Sequence, residues 1–82
     1  IIYPALGLAA EAGEVANKVK KILRDGKLDR DAIADEVGDC LWYIAALCRD
    51  LNVDMETVAY NNLEKLHGRK KRGTLRGNGD KR

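Results

Sequence analysis

The chain has 82 residues. That is enough for one domain with a small core, and chains this short often lean on a metal, disulfides or a partner chain. Hydrophobic residues make up 45% and charged residues 34%, which excludes a wholly disordered chain. The formal net charge of +2 does not argue for general nucleic-acid binding. It hides a polarity, because residues 69–82 hold seven Lys/Arg against Asp80 alone, while the body before them is acidic. The longest apolar run, Cys40 to Cys48, is too short to span a bilayer, and no signal peptide is visible.

Three helices follow in chain order, with no strand-like alternation between them. The first begins at about Pro4, a good first-turn residue, and runs to about Arg24, where Asp25-Gly26 stops it. The second runs from Asp29 to about Leu51, with Leu28 and Ile33 placed as a hydrophobic staple. After the break Asn52-Val53, Asp54 is suited to cap a third helix, with Glu56 in its first turn, that runs to about His67 and ends at Gly68. Residues 68–82 hold four glycines and few apolar side chains, and read as an irregular basic tail suited to a phosphate-rich ligand. Short connections imply antiparallel neighbours. The expected architecture is an all-α, antiparallel bundle of three helices in one domain, completed by oligomerisation. Because the chain starts at Ile1 without Met, a preceding N-terminal helix is allowed for. Cys40 and Cys48 lie about 12 Å apart along the second helix, too far for a disulfide, and are expected to be reduced thiols of a cytoplasmic protein.

The chemical signal comes from helical geometry. At about 100° per residue, Leu8, Ala12, Val15, Ala16, Val19, Ile22 and Leu23 form an apolar stripe, and Glu11, Glu14 and Lys18 share one flank of it. In the second helix the stripe is Ile33, Val37, Cys40, Leu41, Ile44, Leu47, Cys48 and Leu51, with Glu36, Asp39 and Tyr43 on the same-handed flank. Either acid pair alone reads as solvated surface, and Glu14 is placed to pair with Lys18. Two pairs on adjacent helices let four carboxylates converge, which is costly without a cation. Oxygen ligands suit Mg²⁺, with Mn²⁺ as a substitute, whereas one histidine and two cysteines give poor support for zinc.

The order Glu-x2-Glu (Glu11, Glu14), 21 residues, Glu-x2-Asp (Glu36, Asp39) resembles the signature of the MazG-like nucleotide pyrophosphohydrolases, within the all-α NTP pyrophosphatases. The segments GLAAEAGEVANKVKK and DEVGDCLWYIAALC are similar to the two motif helices. NLEKLHGRKKRGTLRGNGDKR is similar to a C-terminal block of many small members. Ala10 departs from the double Glu that many members carry. The resemblance implies hydrolysis of a nucleoside triphosphate (NTP or dNTP) to the monophosphate and pyrophosphate, in nucleotide-pool house-cleaning. It implies Mg²⁺ on Glu11, Glu14, Glu36 and Asp39, with Glu14 or Glu36 as general base. Lys18 and Tyr43 would reach substrate, and Asn62, Lys65, Arg69 and Arg72 would contact phosphates. It also implies a homodimer or homotetramer.

Two features stand without the resemblance. Asn62 falls inside the apolar stripe of the third helix (Met55, Val58, Ala59, Leu63, Leu66), where a buried amide needs partners. Trp42 lies opposite the stripe of the second helix beside Ala46, which suggests a subunit interface or a cover from a preceding segment. The competing functions are a phosphoribosyl-ATP pyrophosphohydrolase-like enzyme, a non-catalytic nucleotide-binding or oligomerisation module, and an RNA-binding helical hairpin with a basic tail, which would bind in a strongly salt-sensitive way without metal.

Overall fold

A computed structural model describes residues 1–72, of which Lys71 and Arg72 are described for backbone only. The tail from Gly73 onward, and the phosphate contact expected of the Arg72 side chain, lie outside the described residues. All the regular elements described are helices: α1 (Ile2–Asp25), α2 (Arg30–Asp50) and α3 (Met55–Arg72). None is long and apolar enough to cross a membrane. By its contacts the chain divides into two compact units, Ile1–Asn52 with α1 and α2, and a second that starts at Val53 and holds α3.

The local signals end the helices as expected. Gly26 takes a left-handed conformation (φ 70°, ψ 15°) and donates its N–H to the Ile22 carbonyl at 2.7 Å, closing α1. Asp29 is the N-cap of α2, its carboxylate accepting from the Ala32 N–H at 3.0 Å. Asp54 accepts from both the N–H and the hydroxyl of Thr57, at 3.1 and 3.0 Å, at the start of α3. One boundary differs. α3 continues through Gly68 to Arg72 rather than stopping at His67. A helix-interior glycine costs only about 1 kcal/mol, and the Arg-Lys-Lys-Arg that follows consists of good helix formers.

The α1–α2 hairpin is antiparallel, with Tyr3 beside Tyr43 at one end and Gly26–Asp29 turning the chain at the other. Its buried and half-buried positions include a three-four series, Pro4, Leu8, Glu11, Val15, Lys18 and Ile22 on α1 and Ile33, Glu36, Cys40, Tyr43 and Leu47 on α2, with Gly7, Lys21, Ala32, Ile44, Ala46 and Cys48 beside it. This shielded line is rotated from the expected apolar stripes towards their acidic flanks. Val19, Val37, Leu41 and Leu51 are left exposed, and Leu23 is 92% exposed. Glu11, Lys18 and Glu36 therefore lie along the line of burial rather than beside it. Cys40 and Cys48 are both free thiols, Cys48 buried and Cys40 half-buried.

α3 exposes Met55, Val58 and Leu63. Asn62 is exposed as well, not enclosed as its place in the apolar stripe suggested. An apolar stripe buries its residues only where another surface meets it, and residues 53–65 are all exposed.

Candidate metal centre

Glu11 of α1 and Glu36 and Asp39 of α2 each offer a carboxylate oxygen, and these three oxygens lie within 4.8 Å of one another. Glu36 and Asp39 meet because residues three apart in a helix share a face. Glu11 meets them because it stands on the shielded line of α1. Glu11 and Glu36 are half-buried and Asp39 is exposed.

The electrostatics record the crowding. The Glu11 carboxyl is held above its usual 4.5, first by desolvation and then by the charges of Asp39, Glu36 and Glu14, with a side-chain hydrogen bond to Asp39 also favouring the protonated form. A cation lying among the three would relieve this crowding at Glu11. A hard divalent ion with oxygen ligands fits this donor set.

Glu14 stands outside the trio. It is exposed, and its carboxylate accepts from the Asn17 side-chain amide at 3.4 Å. It still lies close enough for its charge to act on Glu11. The four expected acids thus resolve into three that meet and one alongside.

Tyr43 completes one wall. It shares an open depression of about 340 Å³ with Glu11, Asp39 and Trp42. Its ring lies 6.4 Å from that of Tyr3 and 5.0 Å from that of Trp42, the latter at an interplanar angle of 88°. The Tyr43 phenol titrates above the tyrosine range, chiefly through Tyr3, then burial, a hydrogen bond with Tyr3, and the charges of Glu11 and Asp39. It is therefore a protonated phenol, able to donate, at neutral pH. A larger depression, about 640 Å³, lies at the hairpin turn among Lys21, Asp25, Lys27, Leu28, Asp29, Arg30 and Asp31, and shares no residue with the carboxylate trio.

Gly7 makes room for Tyr43. A Cβ at residue 7 would lie 2.5 Å from Cζ and 2.6 Å from Cδ1 of the Tyr43 ring. By contrast, a Cβ at Gly13 in the same helix meets nothing within 4 Å. Gly7→Ala is expected to displace the ring and destabilise by about 1–3 kcal/mol. Gly13→Ala should stabilise by about 0.5–1 kcal/mol through helix propensity. Thermal melts of the two variants check the opposite signs. The sequence carried no plain signal for the Gly7 contact, because a glycine one turn before Glu11 reads as a weak helix former until its partner across the hairpin is known.

Lys18 is half-buried on α1, one turn from Glu14. Because α3 runs unbroken to Arg72, Asn62, Lys65, Arg69 and Arg72 recur at three-four-three spacing, one face of that helix by register. Lys65 is exposed and Arg69 is buried, at 9% exposure.

The comparisons with known proteins bear on this geometry. The family model of the MazG nucleotide pyrophosphohydrolase domain matches residues 5–74. The chain belongs to the MazG family. The matched span begins in the first turn of α1 and takes in α2 and α3, so it includes all the carboxylates of the site. The chain is also similar to the Gene 37 protein of Mycobacterium phage L5, at 49% identity, with 98% of this chain and 75% of the phage protein covered. No solved structure matches.

Proposed function

We propose that this MazG-family chain hydrolyses nucleoside triphosphates, ribo- or deoxyribo-, to the monophosphate and pyrophosphate, with Mg²⁺ (or Mn²⁺ in its place) held by Glu11, Glu36 and Asp39 and approached by Glu14. The observation that carries the reading is the carboxylate trio across α1 and α2, two of its members half-buried, with the Glu11 proton affinity raised by desolvation and by its neighbours. Bound there, a divalent ion supplies charge neutralisation for the triphosphate and acidifies an attacking water.

The chain's own groups then have separate tasks. A water attacks the α-phosphorus, the bond from that phosphorus to the α–β bridging oxygen breaks, and the electron pair leaves with pyrophosphate. The proton of the water passes to a carboxylate. Glu14 is the better placed acceptor, because it stands beside the trio rather than within it. Glu36 is the other candidate. Tyr43 donates its phenol to the substrate, and Lys18 adds a cation on the same flank. Asn62, Lys65, Arg69 and Arg72 serve the phosphates from one face of α3.

The exposed Val19, Leu23, Val37 and Leu41 support assembly into a homodimer or homotetramer. Two free thiols suit a reducing, cytoplasmic setting, and the role we assign is nucleotide-pool house-cleaning.

The test is product analysis over a panel of NTPs and dNTPs, with Mg²⁺ or with EDTA. Monophosphate and pyrophosphate in equal amounts, only with the metal, are expected. Release of single phosphates would indicate a different bond. No release from any nucleotide by folded protein would leave a binding module.

A further inference from the structure

We propose that Trp42 is the surface on which the nucleobase stacks; this rests on the nucleotide reading above. Trp42 is the chain's one tryptophan and is 64% exposed. It lines the same depression as Glu11, Asp39 and Tyr43, so an indole face is available within a substrate's length of two of the three clustered carboxylates. Helical side chains lean towards the N-terminus of their helix, which carries the Trp42 ring back over the turn that holds Asp39. Tyr43 meets it in a T-shaped contact, centroids 5.0 Å apart, which fixes the orientation of the indole.

The alternative cover is a second copy of the chain. Trp42 also borders a smaller depression with Ala45, Ala46 and Arg49. Interface centres are depleted of charge, and Trp42 is flanked by Glu11 and Asp39 on one side and Arg49 on the other. A planar ligand whose polar end sits among the carboxylates fits this setting better than a dry protein face. At about 340 Å³ the depression lies in the range of small-molecule sites, roughly 300–1,000 Å³. Stacking is tolerant of base identity. Trp42 therefore contributes affinity for nucleosides in general rather than selection among bases.

Trp42 fluorescence tests this directly, since no other tryptophan contributes. With Mg²⁺ and α,β-methylene nucleoside triphosphates, which are not cleaved at the bond concerned, saturable quenching is expected. Inorganic tripolyphosphate with the same metal should leave the emission unchanged. Trp42→Ala should raise KM about tenfold across the panel, with kcat changing less, and Trp42→Phe should recover most of the loss. Equal quenching by tripolyphosphate, or calorimetric binding of nucleotide with no change in emission, would overturn the proposal. So would an emission shift that follows subunit dissociation on dilution and ignores nucleotide. Hydrolysis without any Trp42 response defeats this inference alone. Quenching without hydrolysis defeats the enzyme reading and leaves this one standing.

Discussion

Glu36→Gln is expected to lower kcat by about 10²–10⁴-fold, the range for losing a group that acts on the transferred proton or its acceptor. The substitution keeps size and shape, so the half-buried position on α2 is still filled and the helix is undisturbed. What is lost is one of three charges gathered around a common point. The folded state should be unharmed, which far-ultraviolet circular dichroism and gel filtration would verify, while pyrophosphate release collapses. Glu14→Gln separates the two candidate bases. If Glu14 takes the proton, its variant loses turnover but keeps metal affinity, whereas Glu36→Gln loses both. An unchanged rate in Glu36→Gln would remove the trio from the reaction.

Glu11→Gln is expected to have opposite effects with and without metal. In the metal-free fold Glu11 holds its proton more tightly than an ordinary carboxyl, so its ionised form opposes folding at neutral pH. Gln removes that opposition, and the variant should melt higher than the parent in EDTA. The sign follows from linkage. A folded-state value above the unfolded 4.5 means that the destabilisation is present at neutrality and is relieved as pH falls through the Glu11 titration. The gap in melting temperature between variant and parent should therefore close on acidification and vanish below about 4.5. With saturating Mg²⁺ the order reverses. Binding at a hundred times Kd stabilises by about 2.7 kcal/mol, a rise on the order of 10–20 °C for a domain of this size. The variant should forfeit that rise. Metal affinity of the parent should weaken as pH falls, because protons and the cation compete for the same oxygens.

The helices, their caps and the shared face of Glu36 and Asp39 on α2 were legible in the sequence, because they depend on local rules. Asp29 and Asp54 cap where an acceptor before a helical run should cap. Residues three apart share a face whatever surrounds them. What depends on the partner surface was not legible. The shielded line of the hairpin turned towards the acidic flank, because Glu11, Lys18 and Glu36 occupy positions that an apolar count assigns to solvent. That rotation brings Glu11 into the trio and leaves Glu14 beside it, where a four-acid convergence was expected. The Gly7 clearance depends on a ring from another helix, and so does the depression that Trp42 shares with Glu11. Asn62 shows the converse: a position inside an apolar stripe is buried only where a second surface arrives, and it is exposed. Gly68 marked a helix end by composition alone, and the run of helix formers after it carried α3 onward.

The central claim is that Glu11, Glu36 and Asp39 hold a divalent cation, and Mn²⁺ electron paramagnetic resonance measures this without reference to turnover. Titrating the folded protein at neutral pH should remove the free-Mn²⁺ signal saturably, and Mg²⁺ should restore it by competition. The Glu11→Gln, Glu36→Gln double variant should leave the free signal nearly untouched. Saturable Mn²⁺ binding of equal strength in parent and double variant would contradict the account, because the ion would then be held elsewhere.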